Sequence, residues 1–429
     1  MSGGSGGGGA GTADPRQGIP SVSRISSWRL DYFCSQHLQP QEEFLQQASR
    51  AVDRICDFLK TRCFQDAPQP GIKVLRVRSG GGRGGSLGKG TSMKNGKTDL
   101  ELFLNIFNLY RDLSKDTQTR NRIRRGSLRK IVRWFSECKE NMSLELIFEK
   151  SKWSNPRVLQ FKLRSKKTED FIDFDVLPAY DALGHYDGSM PNPQIYVDLI
   201  RTGKSGEFSP CFTELQKDFI KDQPTKLKSL ICLVKHWYNE VQEKSFPPKY
   251  ALELLTVYAW EQGSGKTVFN TAEGFRTVLW LIEHYKEIRI YWTEYYDFQN
   301  EIIKQYLQKQ LCKTRPVILD PADPTANLGE AEGWDRLAEK ARCYASMNCC
   351  QKRDGSVVEP WDVPVREKNG KVAFFAITIA LFFLFSFFPF LSFLPFLPSF
   401  PVLRMQYCRL TLPTARSSIL TGRLSFQGQ

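Results

Sequence analysis

The sequence predicts an α+β fold in two parts, a mixed half of strands and helices followed by a mainly helical half. Three observations carry that reading. Gln41 to Arg62 is amphipathic at helical spacing, with Phe44, Leu45, Ala48, Val52, Ile55, Phe58 and Leu59 on one stripe. Short strand-like runs follow, at residues 72–78, 98–104, 158–163 and 171–176, the first two separated by a glycine-rich stretch. Past about residue 190 helical periodicity takes over.

Taken in order, residues 1–25 are glycine- and serine-rich and cannot bury enough apolar area to order, so a flexible tail is expected. Residues 26–189 are expected to form the first domain. Its long helix carries Arg50, Arg54, Lys60 and Arg62 largely off the apolar stripe, and a second basic helical stretch spans residues 120–133. Residues 190–365 are expected to form the helical domain. Its clearest helix starts at Pro224, with Leu227, Leu230, Ile231 and Val234 on one apolar face. Helices at 250–260 and 275–285 are expected to be buried. The last stretch, 366–429, has no charged residue from Val372 to Leu403. Its 17 residues before Pro389 approach the lower limit for a bilayer span. Pro389, Pro395, Pro398 and Pro401 oppose one continuous helix. Residues 372–403 are therefore a candidate membrane anchor, and an aberrant, adhesive tail is the alternative.

A net charge of +14 over 429 residues points to nucleic acid or another anionic partner, against the alternative that scattered lysines merely keep the chain soluble. The eleven cysteines include no CxxC pair, and the four histidines have no zinc-ligand spacing. With no apolar signal segment at the N-terminus, free thiols in the reducing cytoplasm are expected. Two glycine-lysine sequences, at Lys89 and Lys266, lack the early glycine of a P-loop.

Chemistry concentrates at Gly84-Gly85-Ser86-Leu87-Gly88-Lys89-Gly90-Thr91 and at Thr98-Asp99-Leu100-Glu101-Leu102. Glycines let a backbone approach phosphate oxygens, and Ser86 adds a hydroxyl donor. In an extended strand Asp99 and Glu101 share one face. A phosphate turn beside paired carboxylates is the minimum kit of a metal-dependent nucleotidyltransferase, which needs a further carboxylate to complete a two-metal site. Phe171-Ile172-Asp173-Phe174-Asp175 offers two candidates on one strand face, and periodicity alone does not choose between Asp173 and Asp175.

The glycine-rich block resembles the signature of the 2′-5′-oligoadenylate synthetases. So do Phe174-Asp175-Val176-Leu177-Pro178-Ala179-Tyr180, Pro191 to Val197, Cys211 to Gln216, Pro224 to Tyr238, Tyr250 to Trp260 and Arg315 to Thr325. The likeness spans roughly residues 27 to 365 and is greatest to the small, single-unit form. It implies a polymerase-β-like nucleotidyltransferase domain followed by a mainly helical domain. It implies a double-stranded-RNA-activated enzyme that uses two Mg²⁺ ions to polymerise ATP into 2′-5′-linked oligoadenylates, which activate ribonuclease L in antiviral defence. By the same resemblance Asp175 joins Asp99 and Glu101 as the catalytic, metal-holding carboxylates. Ser86, Lys235, Lys249 and Tyr250 fall at nucleotide-binding positions, and Lys60, Lys89, Lys217, Lys221, Thr225 and Lys226 at RNA-binding positions.

Three residues depart from the family pattern near the chemistry. Glu101 stands where an aspartate is usual, Cys232 where active members carry arginine, and Lys249 where they carry glutamine. The alternative reading is therefore a double-stranded-RNA-binding antiviral protein with weak or no catalysis. A third reading is a polymerase-β-like transferase with another acceptor. Cys349-Cys350-Gln351 replaces the Cys-Phe-Lys of tetrameric forms, so a monomer is expected. It would be cytoplasmic, or associated with the endoplasmic reticulum membrane if the apolar tail inserts.

Overall fold

Strand β2, Lys97–Asn105, is where the fold begins to place the expected site. It lies inside a five-stranded sheet with β1 (Lys73–Arg78), β3 (Leu144–Phe148), β4 (Leu159–Ser165) and β5 (Phe171–Tyr180). The order is β1-β2-β5-β4-β3, with β2 and β5 parallel and the other pairs antiparallel. The computed structural model describes residues 19–62, 73–78, 88–94, 97–105, 144–148, 159–165, 171–180, 182–183, 186, 188–203, 205–206 and 208–364. Ser86, the basic stretch 120–133 and the apolar segment 372–403 lie outside them.

Local sequence explains two irregularities of the sheet. In β1 the apolar pair Val74-Leu75 breaks the alternation, and the register shifts there: Val74 faces Leu104 and Arg76 faces Phe103. One extra residue in a bulge restores the apolar parity. In β5, Pro178 is registered against Leu102 of β2, while β4 ends its pairing with β5 at Val176. Among the described residues Pro178 thus stands where β5 has a single neighbour, a position at which a missing N–H is tolerated. The strand therefore continues past the expected end at Val176. Strand β3 has no counterpart in the sequence reading.

Helix α1 (Leu30–Phe33) runs into a π-helical turn, Cys34–Leu38, and α2 spans Glu42–Arg62, close to its expected bounds. After the sheet come α3 (Pro193–Arg201), α4 (Thr213–Lys221), α5 (Thr225–Val241), α6 (Lys249–Gln262) and α7 (Thr271–Glu283). A short parallel pair, β6 (Arg289–Ile290) and β7 (Val317–Ile318), brackets α8 (Glu301–Leu311), and α9 (Trp334–Ala345) follows.

Helix α5 corrects the sequence reading. One apolar face was expected, yet Cys232, Leu233, Lys235, His236, Trp237 and Tyr238 are buried as well. The helix is enclosed by α6, α7 and the turn Cys34–Leu38, so polar residues on its other faces need internal partners. His236 finds them in Glu240 Oε1 at 3.0 Å and the Pro20 carbonyl at 3.2 Å. The described residues, 19 to 364, fall in one compact unit. Cys349 and Cys350 are buried free thiols. Among the described residues no helix is long and apolar enough to cross a membrane.

Candidate nucleotide site

The strand carboxylates are sorted by register. Asp99 of β2 pairs directly with Asp175 of β5, and Lys97 pairs with Asp173. On the other side of β5, Asp175 is registered against Gln160 and Asp173 against Lys162. Directly paired residues in adjacent strands share a face, so positions 99, 101, 173 and 175 lie on one side of the sheet. Asp173 is flanked by two lysine positions, a self-compensated arrangement. Asp175 is flanked by an acid and an amide. Like charges directly opposite each other destabilise a sheet unless a cation lies between them. The opposed pair Asp99 and Asp175 therefore suits a hard divalent cation such as Mg²⁺, while Glu101, farther along the same face of β2, is registered against Arg78 of β1.

The second part of the site grows from residues 88–94, which only residues 95 and 96 separate from β2. Gly90 turns the chain with φ +72°, a left-handed conformation that favours glycine. A Cβ there would also stand 3.3 Å from the Lys228 side chain. The turn delivers Lys89 to α6, where its Nζ lies 3.0 Å from Glu253 Oε2 and 4.2 Å from the centre of the Tyr250 ring. From α5, Lys235 Nζ reaches Glu253 Oε1 at 3.2 Å and donates to the Thr91 carbonyl at 3.0 Å. Cys232 Sγ faces the Ser92 carbonyl at 3.9 Å. Two ammonium groups thus share one carboxylate, and side-chain exposure is only 12% at Lys89, 8% at Lys235 and 5% at Glu253. Burial pushes the Glu253 carboxyl up, but Lys89 and Lys235 outweigh it and hold the carboxyl below its ordinary range. Thr91 Oγ1 is buried with no hydrogen-bond partner among the described residues.

Below this cluster lies a second buried acid group. Asp320 Oδ1 accepts from the Tyr250 hydroxyl at 3.3 Å and from the Ala322 N–H at 2.9 Å, and Oδ2 accepts from Gln216 Nε2. Burial still pushes Asp320 up to about 6. Burial, with the Asp320 charge second, pushes Asp323 up to about 7. Asp323 Oδ1 accepts from the Thr325 N–H and hydroxyl, while Oδ2 has no partner among the described residues.

Acids whose pKa rises on folding bind protons more tightly folded than unfolded. Their stabilising effect is complete below the ordinary carboxylate pKa and declines as pH climbs to the raised value. Asp323→Asn keeps the Oδ1 acceptor and removes the charge. The variant should gain on the parent protein by about 2–3 kcal/mol between pH 5 and pH 8. Thermal or denaturant unfolding at the two pH values checks this, and a pH-independent difference would contradict it.

The structure divides the expected contacts. Lys89, grouped by resemblance with the RNA positions, sits with the nucleotide positions Lys235 and Tyr250. Lys217 is also buried, with Nζ 2.9 Å from Asp218. Lys221 and Thr225 are exposed at the α4–α5 junction, and the half-buried Lys226 is ion-paired with Asp31. Lys60 lies on α2. Lys249 opens α6, with its Nζ 5.9 Å from the centre of the Tyr238 ring.

Sequence reasoning missed Glu253, Asp320 and Gln216. Glu253 was detectable: a lone acid within Tyr250-Ala-Leu-Glu-Leu-Leu, inside a helix expected to be buried, requires an internal cation. Asp320 has no such signal, because Asp-Pro sequences are ordinary turn formers.

Comparisons with known proteins bear on the family. Residues 189–366 match the family described as 2′-5′-oligoadenylate synthetase 1, domain 2, C-terminus. The chain is 49% identical over 356 residues to 2′-5′-oligoadenylate synthase 1A of Rattus norvegicus, covering 80% of this chain and 96% of that protein. It is 44% identical over 373 residues to the inactive 2′-5′-oligoadenylate synthase 1B of the same organism, covering 84% and 95%. A solved structure of mtPAP in complex with UTP aligns over 83% of this chain and 77% of its own, at 10% identity and a TM-score of 0.45, a likeness too remote to inform the chemistry. On the strength of the long, nearly full-length matches, the chain belongs to the 2′-5′-oligoadenylate synthetase family.

Proposed function

We propose that this protein is a double-stranded-RNA-activated nucleotidyltransferase that polymerises ATP into 2′-5′-linked oligoadenylates, products that activate ribonuclease L in antiviral defence. The observation that carries the reading is the β2–β5 register, which sets Asp99 opposite Asp175, with Gln160 of β4 registered on the other side of Asp175. Asp99, Glu101 and Asp175 would hold two Mg²⁺ ions, whose chemistry is to activate the attacking hydroxyl and steady the leaving phosphate. The rest falls to the chain itself. Lys235 and Lys89 supply positive charge where a triphosphate would lie, Thr91 Oγ1 supplies an uncommitted hydroxyl, and Tyr250, Lys249 and Ser86 complete the nucleotide positions. Enclosure by α5 and α6 keeps water from the charges, which strengthens every ionic contact made there.

The exposed pair Lys221 and Thr225, with Lys226 and Lys60, supports a duplex-RNA surface. Duplex RNA is read through phosphates and 2′-hydroxyls, so such residues suffice. In this reading the protein is a cytoplasmic monomer, in two domains meeting near residues 189–190, with residues 372–403 as a candidate membrane contact.

A second reading, RNA binding without synthesis, is favoured by one observation: Cys232, at the position of a nucleotide-binding arginine, is wholly buried, and burial pushes its thiol up to about 11. It offers no charge to phosphate. Incubating the full chain with ATP and Mg²⁺, with and without duplex RNA, separates the two. We expect oligoadenylate only with RNA. RNA binding without product supports the second reading. Rescue by Glu101→Asp would then assign the defect to the metal pair, and rescue by Cys232→Arg to nucleotide binding.

A further inference from the structure

The geometry points to Asp320 as a positioning residue of the nucleotide site, acting through Tyr250. The inference rests on the nucleotide-site reading above.

Asp320 is fully buried in the loop after β7. Donors from three directions converge on its carboxylate: Gln216 Nε2 from α4, the Tyr250 hydroxyl from α6 at 3.3 Å, and the Ala322 N–H of its own loop at 2.9 Å. Ser209 Oγ adds a longer contact at 3.4 Å. A carboxylate this deep is retained only with such partners. A tie between loop and helices would by itself explain Gln216 and Ala322. It does not explain Tyr250, whose ring is the platform under Lys89.

From Asp320 a continuous set of contacts leads to the phosphate turn. The carboxylate accepts from the Tyr250 hydroxyl and so holds the far end of the side chain in place. The ring centre lies 4.2 Å from Lys89 Nζ, and cations favour that face. Lys89 is held on Glu253, Glu253 on Lys235, and Lys235 on the Thr91 carbonyl. Loss of the Asp320 acceptor frees the ring to turn about its χ angles, and Lys89 and the turn lose their seat. Among the described residues Asp320 hydrogen-bonds one group expected to meet the nucleotide, the Tyr250 hydroxyl, and the Lys89 charge reaches it as well.

A double-mutant cycle tests the assignment. Binding of a non-hydrolysable ATP analogue with Mg²⁺ is titrated for the full chain, Asp320→Ala, Tyr250→Phe and the double variant, with a thermal melt of each. Each single change should weaken binding about five- to tenfold. The double should bind no more weakly than the poorer single, because both remove the same contact. Multiplying losses would mean independent action and would overturn the inference. A lowered melting temperature in Asp320→Ala with unchanged affinity would reduce the residue to a structural tie, with the same consequence. Should Asp320→Ala not fold, Tyr250→Phe decides: unaltered affinity overturns the inference, and weakened affinity upholds it. If the parent protein itself does not bind the analogue, the nucleotide-site reading falls and takes the inference with it. That outcome is distinct from bound analogue at unchanged affinity.

Discussion

Asp175→Ala should abolish synthesis, lowering oligoadenylate formation by about 10³-fold, the scale set by loss of one preorganised electrostatic group in a transferase site. RNA binding should be unaffected, because a carboxylate face on the sheet offers nothing to phosphate. The companion variant makes the claim sharp. Asp173→Ala removes a carboxylate from the same strand and the same face, yet its register neighbours are Lys97 and Lys162. It should keep activity within a few-fold and instead lose stability, since two lysine positions lose their shared counter-charge. Product analysis under saturating ATP, together with an RNA gel shift, checks both. Equal losses in the two variants would mean that register does not distinguish them.

Glu253→Gln carries the largest expected effect on stability. It leaves Lys89 and Lys235 buried without their carboxylate, and breaking such a group from one side costs about 3–5 kcal/mol. The pH dependence has a definite sign. Glu253 is held below its ordinary range in the folded protein, so its contribution is complete above the unfolded-state pKa and disappears as pH falls through the folded value. The variant should therefore lag the parent protein most at neutral pH and approach it in acid. Unfolding by denaturant at pH 7 and near pH 4 measures the gap. Lys89→Met introduced into Glu253→Gln should restore part of the loss by removing one stranded charge.

The strands that carry the proposed site were legible because their carboxylates alternate with leucine, valine and phenylalanine, and alternation is what an extended chain with one buried face must show. Helices α2, α5, α6 and α7 announced themselves by their period. The choice between Asp173 and Asp175 was not legible from period, because it depends on which strand lies next to β5. Pairing partners separated by this much chain are invisible to local pattern. The burial of Lys89 and Lys217 escaped for a related reason. A lysine in a polar stretch looks like surface until the helix that covers it is known, and Glu253 arrives from far along the sequence. Lys235 was placed by resemblance, and the structure adds what holds it.

The parallel pairing of β2 with β5 has a consequence for how the protein is made. Parallel neighbours cannot be joined by a hairpin, so the chain must lay down β3 and β4 before β5 can return to its place beside β2. Asp99 and Glu101 leave the ribosome well before Asp175, and the two ends of this long excursion must be brought together before the pair exists. A prematurely terminated product has its phosphate turn and two acids but no third. If Asp175 serves as proposed, any fragment that ends before β5 should be inert, and activity should depend on the strand that is laid down last in the sheet.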